Sequence, residues 1–357
     1  MTISNLSFTA SQYKNLQKLQ AQLNKSVTEA TNSRYADVGL SLGRLTGTAV
    51  NYRVQETSFE SQLQTNKVVS NRLELIDDAL TAINKTATDM KSSALVAKKY
   101  PQYSSLAKSG LEQLQGALNT ADGGLYVFSG MAADKAPMPA IDKGLKSAQD
   151  NYDLFVKEVG GGQAQNITAE QMTQYLSEAG YSVKDPVTNA VVKTYSFFDT
   201  VKGSTPGTPW ADNWSNASST STVATISKTE TVETSVSANN DAFRKLVAGY
   251  SMLSVIDLTK LTDAVKDAVS VQASTTMTAG TDKITAEQAL VGMRQSRIEA
   301  VNTALTSQKD VAETAYSDLE GVDPYEASQR MNALELQLNA AMAATARIQK
   351  ISILDYI

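Results

Sequence analysis

Apolar residues recur along the chain at alternating spacings of four and three. One set of positions reads Phe59, Asn66, Leu73, Leu80, Ala87 and Ala94, and its partner set reads Gln62, Val69, Ile76, Ile83, Met90 and Ala97. That spacing is a coiled-coil seam. It predicts a helix over 56–99, about 65 Å long at 1.5 Å per residue, where ordinary helices average about 11–12 residues. Toward the other end, Ile298, Val301, Leu305, Ala312, Ala315 and Leu319 form a second stripe, interrupted by Gln308. Thr285-Ala286-Glu287-Gln288 has the form of a capping box and predicts that this helix opens there. Gly321 stops it. Asp323 as N-cap, Pro324 at the first helical position and Glu326 at the third then start another. Its seam is Met331, Leu334, Leu338, Ala341 and Ile348. At the N-terminus, Leu16, Leu19, Leu23 and Ala30, with Val27 beside them, form a matching one.

Glycine and proline sharpen the boundaries. Residues 1–38, 48–100, 293–320 and 325–357 contain neither, whereas five of the seven prolines fall between 137 and 209. These residues interrupt regular elements most strongly, so both ends read as long helices around an irregular middle. Within 137–239, Gly160-Gly161-Gly162 predicts a tight turn and Thr168-Ala169-Glu170-Gln171 a short helix to about Ala179. The runs 191–198 and 223–228 alternate like strands. Eighteen of the 45 residues in 196–240 are Ser or Thr, which favours a thin solvated sheet over a thick core. Helical spacing resumes at Asn240 or Asp241, with Phe243, Leu246, Val247 and Tyr250 on one face.

Composition narrows the function. Among 357 residues there is no His and no Cys. This removes Cys nucleophiles, His bases, Ser-His-Asp triads, disulfides and His- or Cys-ligated metals. A net charge of −5 is a poor footprint for nucleic acid. The first residues lack the basic start and apolar run of a cleaved signal peptide, and no stretch approaches the length of a membrane span. Two S-x-x-K matches, Ser11/Lys14 and Ser105/Lys108, have no companion motifs. Asp77-Asp78 diverge by about 100° on a helix, while Asp263/Asp267 share a face with Lys260 and Lys266 as a solvated ionic stripe. The Gly160–162 run lacks the Lys-Ser/Thr of a phosphate loop. The two tryptophans, Trp210 and Trp214, are either core anchors or a stacking platform for a sugar ring. No catalytic residue, cofactor or metal ligand is expected.

Three stretches carry a family resemblance. They are Leu23–Gly39, the run Asp122-Gly123-Gly124-Leu125-Tyr126-Val127-Phe128-Ser129-Gly130, and the ending Ala344–Ile357 with its Ile353-Leu354-Asp355-Tyr356-Ile357 close. They resemble the flagellin superfamily, and within it the hook-associated proteins of the hook–filament junction. The likeness covers about 1–136 and 240–357. It implies a structural subunit exported through the flagellar type III channel without a cleaved signal peptide, and located in the extracellular flagellum. It also implies self-assembly into a ring, contact with another hook-associated protein and flagellin, and an export chaperone. The family's terminal helices are disordered in the monomer and pair on assembly. The seams point the same way, because two lone amphipathic helices bury little between them.

The expected fold is mainly α with an inserted β domain: an elongated antiparallel rod of long helices from both chain ends, carrying a small β-rich outer domain. Terminal assembly helices occupy 1–45 and 323–357 and are flexible in the monomer, the helical rod 46–136 and 240–322, and the outer domain 137–239. Leu16, Leu19, Leu23, Val27, Met331, Leu334, Leu338, Ala341 and Ile348 are the expected assembly interface. Two alternatives stay open: a filament flagellin, and a surface adhesin using Trp210 and Trp214 to bind glycans.

Overall fold

The computed structural model describes residues 2–94 and 103–354. Ten α-helices are present among them: α1 (Thr2–Asn32), α2 (Val38–Leu42), α3 (Thr46–Ala94), α4 (Tyr103–Leu118), α5 (Asp142–Val159), α6 (Ala169–Tyr175), α7 (Pro209–Asn213), α8 (Asp241–Val255), α9 (Asp263–Glu320) and α10 (Pro324–Leu354). Six short strands form three separate antiparallel hairpins: β1 (Ala121–Asp122) with β2 (Leu125–Tyr126), β3 (Tyr181–Lys184) with β4 (Val191–Tyr195), and β5 (Val223–Thr225) with β6 (Thr231–Glu233). The protein is therefore mainly helical, with small two-stranded sheets inserted between the long helices.

The chain divides into two compact units, 1–63 with 303–357, and 64–302. In the larger one the α3 seam is the spine of the core. Val69, Leu73, Ile76, Leu80, Ile83, Ala87 and Met90 are all buried. Seam position Ala97, and the end of the helix expected to reach 99, lie outside the described residues. Asn66, a polar residue on an apolar seam, is buried because its amide donates to the Ile226 carbonyl at 2.9 Å and to Asn302 Oδ1 at 2.7 Å. A buried amide without such acceptors would cost about 1–3 kcal/mol.

The second long helix differs from its expected start. Thr285 does not cap a helix; α9 begins at Asp263 and runs 58 residues, about 87 Å of helix. Thr285 Oγ1 bonds back to the Thr281 carbonyl within the helix and accepts from Asn84 Nδ2. Gly280 does not break α9, because its missing side chain is where Leu246 packs, 2.6 Å from where a Cβ would stand. The lower end behaves as expected: α9 stops at Glu320, and Asp323 accepts from Tyr325 N at 2.8 Å as α10 begins.

The middle segment holds more core than its Ser/Thr content suggests. Phe155, Tyr175, Phe197, Trp210 and Trp214 are fully buried. Phe155 stacks on Tyr175 with centroids 3.9 Å apart, and Tyr175 meets Phe197 edge-on. The Thr168 capping box forms with Gln171, Gly161 and Gly162 turn the chain with positive φ, and Asn240 caps α8 by accepting from Ala242 N. β4 is shorter than the alternating pattern: after Tyr195 the chain tightens into a 3-10 turn over Phe197–Val201, capped by Ser196.

Candidate assembly surface

The terminal helices supply the most distinctive surface. Their ends are set by one junction in the smaller unit. Ser33 takes positive φ (53°) as α1 ends, Val322 N donates to the Ser33 carbonyl at 3.0 Å, and Tyr35 N donates to the Glu320 carbonyl at 3.0 Å. These bonds join the end of α1 to the start of α10, so the two helices pack antiparallel. Glu29 of α1, 2% exposed, accepts from Ala36 N at 3.3 Å and is ion-paired with Lys25 and with Arg330 of α10.

The expected interface residues divide on this pair. Leu16, Leu19 and Leu23, with Met331, Leu334, Leu338 and Ala341, are half-buried. The α1–α10 packing sets these seams against each other and leaves them half-covered. Val27 is 41% exposed. The Ile348 side chain lies outside the described residues. Two apolar side chains the heptad reading did not select, Tyr325 and Leu336, are 73% and 72% exposed. Their spacing of eleven residues, three helical turns, puts them on one side of α10, about 180° from Leu334.

Beneath the pair is an ionic hub that sequence spacing did not single out. Glu320, with a side chain 3% exposed, takes Arg34 Nε at 2.9 Å and Arg53 NH2 on the same oxygen, Oε2. The Arg53 guanidinium lies over the Tyr316 ring, 5.0 Å from its centroid, and its Nε is buried without an acceptor. With Glu56, Thr57 and Ser317 these groups line a cavity of about 310 Å³. Residues 34, 53 and 320 are too far apart in sequence for spacing to link them. The available signal was that Arg53 falls one turn after buried Ala49, on the inward side of α3.

The run 121–130 is built for rigidity. Gly123 and Gly124, both with positive φ, make the β1–β2 turn, and Val127 and Phe128 are buried. Phe128 meets Phe243 edge-on at 5.8 Å, and Arg72 donates to the Tyr126 and Thr234 carbonyls. Burial lowers the pKa of Arg72 from its ordinary value, with nearby Asp122 opposing that shift. A Cβ on Gly130, also at positive φ, would stand 2.5 Å from the Ser218 and Thr220 carbonyl oxygens.

The remaining sequence candidates are structural in place. Trp210 and Trp214 are each 1% exposed, so neither ring offers a face to a sugar. Trp210 Nε1 donates to Asn239 Oδ1 and Trp214 Nε1 to the Thr200 carbonyl. The stacking-platform reading is corrected: a segment with this much buried aromatic surface uses its tryptophans as core. Lys108, the lysine of one S-x-x-K match, faces Asp142 at 3.6 Å, and Asp263 pairs with Lys266 at 2.9 Å. Among the described residues no group of acidic side chains could hold a metal, and no helix is long and apolar enough to cross a membrane.

Two family models match the chain. The bacterial flagellin N-terminal helical region covers residues 3–133, and the bacterial flagellin C-terminal helical region covers residues 274–357. The chain is also similar to a solved structure from Vibrio parahaemolyticus, provisionally described as a flagellar hook-associated protein. That likeness has 13% identity and a TM-score of 0.35, covering 78% of this chain and 94% of the other. No curated protein has a significantly similar sequence.

Proposed function

This chain belongs to the flagellin family, and from that membership we propose that it is the subunit joining hook to filament, assembling through its terminal helices. Members of the family are extracellular structural parts of the bacterial flagellum that self-assemble with other flagellar proteins. The finer reading is a homo-oligomeric ring between another hook-associated protein and flagellin. Its subunits leave the cell through the flagellar type III route, escorted by an export chaperone. Residues 1–45 and 323–357 are the assembly helices in this reading. The helices of 46–136 and 240–322 are the rod, and 137–239 is its outer face.

The observation that supports assembly is the incomplete burial of the terminal pair. Its seam is half-buried within one chain, and Tyr325, Leu336 and Val27 stay exposed. A large apolar side chain contributes about 1.5–3 kcal/mol when fully buried, so a neighbour covering these positions would recover much of that. The junction role, as against a filament subunit, is supported by the resemblance of 122–130 and of the Leu354-Asp355-Tyr356 ending to junction-type members.

Leu336→Asp tests the assembly surface. The side chain is 72% exposed, so the monomer should melt within about 0.5 kcal/mol of the parent. Its capture by isolated hook ends, followed by sedimentation, should be lost. Asp at Leu334 or Leu338 would also block assembly but would disturb the α1–α10 contact as well, which makes position 336 the cleaner probe. Assembly of the Leu336→Asp chain at the parent level would remove the proposal. Quantifying the chain in isolated organelles separates the two subunit roles: a small ring for a junction protein, the bulk of the mass for a filament flagellin.

A further inference from the structure

The β5–β6 hairpin comes from the middle segment, yet its polar partners sit on the two long helices of the larger unit. Its Ile226 and Val232 side chains are buried. Toward α9 the ties are ionic: Arg294 pairs with Glu233, and Arg297 Nε with Glu230 at 2.9 Å. Toward α3, Arg72 Nε donates to the Thr234 carbonyl at 2.9 Å. One bond goes deeper. The Ile226 carbonyl, just past the end of β5, accepts from Asn66 Nδ2 at 2.9 Å, and the same nitrogen donates to Asn302 Oδ1 of α9 at 2.7 Å. A carboxamide nitrogen has two hydrogens. A single group on the α3 seam therefore holds the opposite helix with one and the hairpin with the other.

We propose that the hairpin is a strap that couples the middle segment to the pairing of α3 with α9, with Asn66 as the link. The apolar seam beyond it, Val69, Leu73 and Ile76, is held by non-directional burial. Asn66 is fully buried, so departure of the Ile226 carbonyl leaves one of its N–H groups without that acceptor, out of reach of water. The helix pair thus becomes less stable at this level when the hairpin lifts, and by linkage the hairpin is held less firmly when the helices part. The fastening that can give way first is ionic and lies at the surface: Glu233 is 50% exposed and Arg297 61%. Lifting the strap breaks those pairs without unpacking the α8 core.

Hydrogen exchange of the full-length chain, read by mass spectrometry and corrected for intrinsic rates, tests the coupling. Three peptides suffice: the hairpin (222–234), the start of the α3 seam (64–71) and the α8 core (242–253). Glu230→Gln combined with Glu233→Gln removes both carboxylates that pair with α9 and touches no group on α3. Exchange should quicken about two- to tenfold in the hairpin, the scale of two partly exposed ion pairs, and by a similar factor in 64–71. The α8 peptide should keep the parent rate. Asn66→Leu fills the seam with an apolar side chain and cuts the link. In that variant the hairpin should exchange faster than in the parent, and adding the two Gln substitutions should then move 64–71 by less than about twofold. A hairpin that loosens while 64–71 keeps the parent rate overturns the coupling. A hairpin unmoved by the two Gln substitutions overturns the ionic fastening. Equal loosening of α8 means general destabilisation, and a full response of 64–71 in the Asn66→Leu background means that the link lies elsewhere; either result overturns the proposal.

Discussion

Asn239 shows how single residues hold the middle of this chain together. Its Oδ1 accepts from Trp210 Nε1 at 2.8 Å and Ser215 Oγ at 2.7 Å, and its Nδ2 donates to the Ala217 carbonyl and Ser219 Oγ. All these groups lie in a segment with few regular hydrogen-bonded elements, so the amide substitutes for a missing strand. Asn239→Ala leaves two buried donors without an acceptor and should cost about 2–4 kcal/mol, measured by urea unfolding. None of this was legible in the sequence. An asparagine in a Ser/Thr-rich stretch reads as solvated, and only the fold brings 210, 215 and 239 together. The tryptophans posed a related problem: the sequence favoured core anchoring but left a sugar platform open, and burial decided for core. By contrast, Asp323, Asn240 and Thr168 were legible, because a cap acts on residues two or three positions away and its partners are fixed by local geometry.

The long helices were readable because glycine and proline are missing from them and their apolar spacing persists over many turns. The start of α9 was missed for a physical reason. Gly280 is accommodated by Leu246, and Thr285 bonds within the helix, so neither acts as the boundary its residue type suggests. α5 was missed as well, although its Tyr152 and Phe155 face the aromatic core with Tyr175 of α6. Packing among these elements has a consequence at high pH. Burial pushes Tyr152 up to about 12, with Asp153 and Asp257 adding to it, and burial also raises Tyr175 and Tyr250 of α8. A raised folded-state value means the fold favours the neutral phenol. That contribution is complete below the ordinary value near 10 and is lost as pH rises toward the folded values. Stability should therefore hold to about pH 10 and fall steeply above it. Tyrosinate absorbance should show these three phenols ionising only with unfolding, and their titration near pH 10 in a still-folded chain would contradict the packing described.

At the scale of the whole molecule, the two chain ends meet in one helical pair whose apolar stripe is only half-covered. The sequence had already indicated two matching terminal seams. It could not say that the surface left over would centre on Tyr325 and Leu336, because a heptad count selects the inner stripe and ignores isolated apolar residues outside it. The hub at Glu320 fixes the point where α9 gives way to α10. In the proposed assembly the terminal pair completes its burial on neighbours. Limited proteolysis of the chain before and after assembly, read by mass spectrometry, tests this most directly, since cleavage follows local opening. In the monomer, cuts should fall first within 1–45 and 323–357, leaving the 64–302 unit intact, and assembly should suppress them. A terminal pair that resists as long as that unit in the monomer, or is cut at the same rate after assembly, would contradict the account.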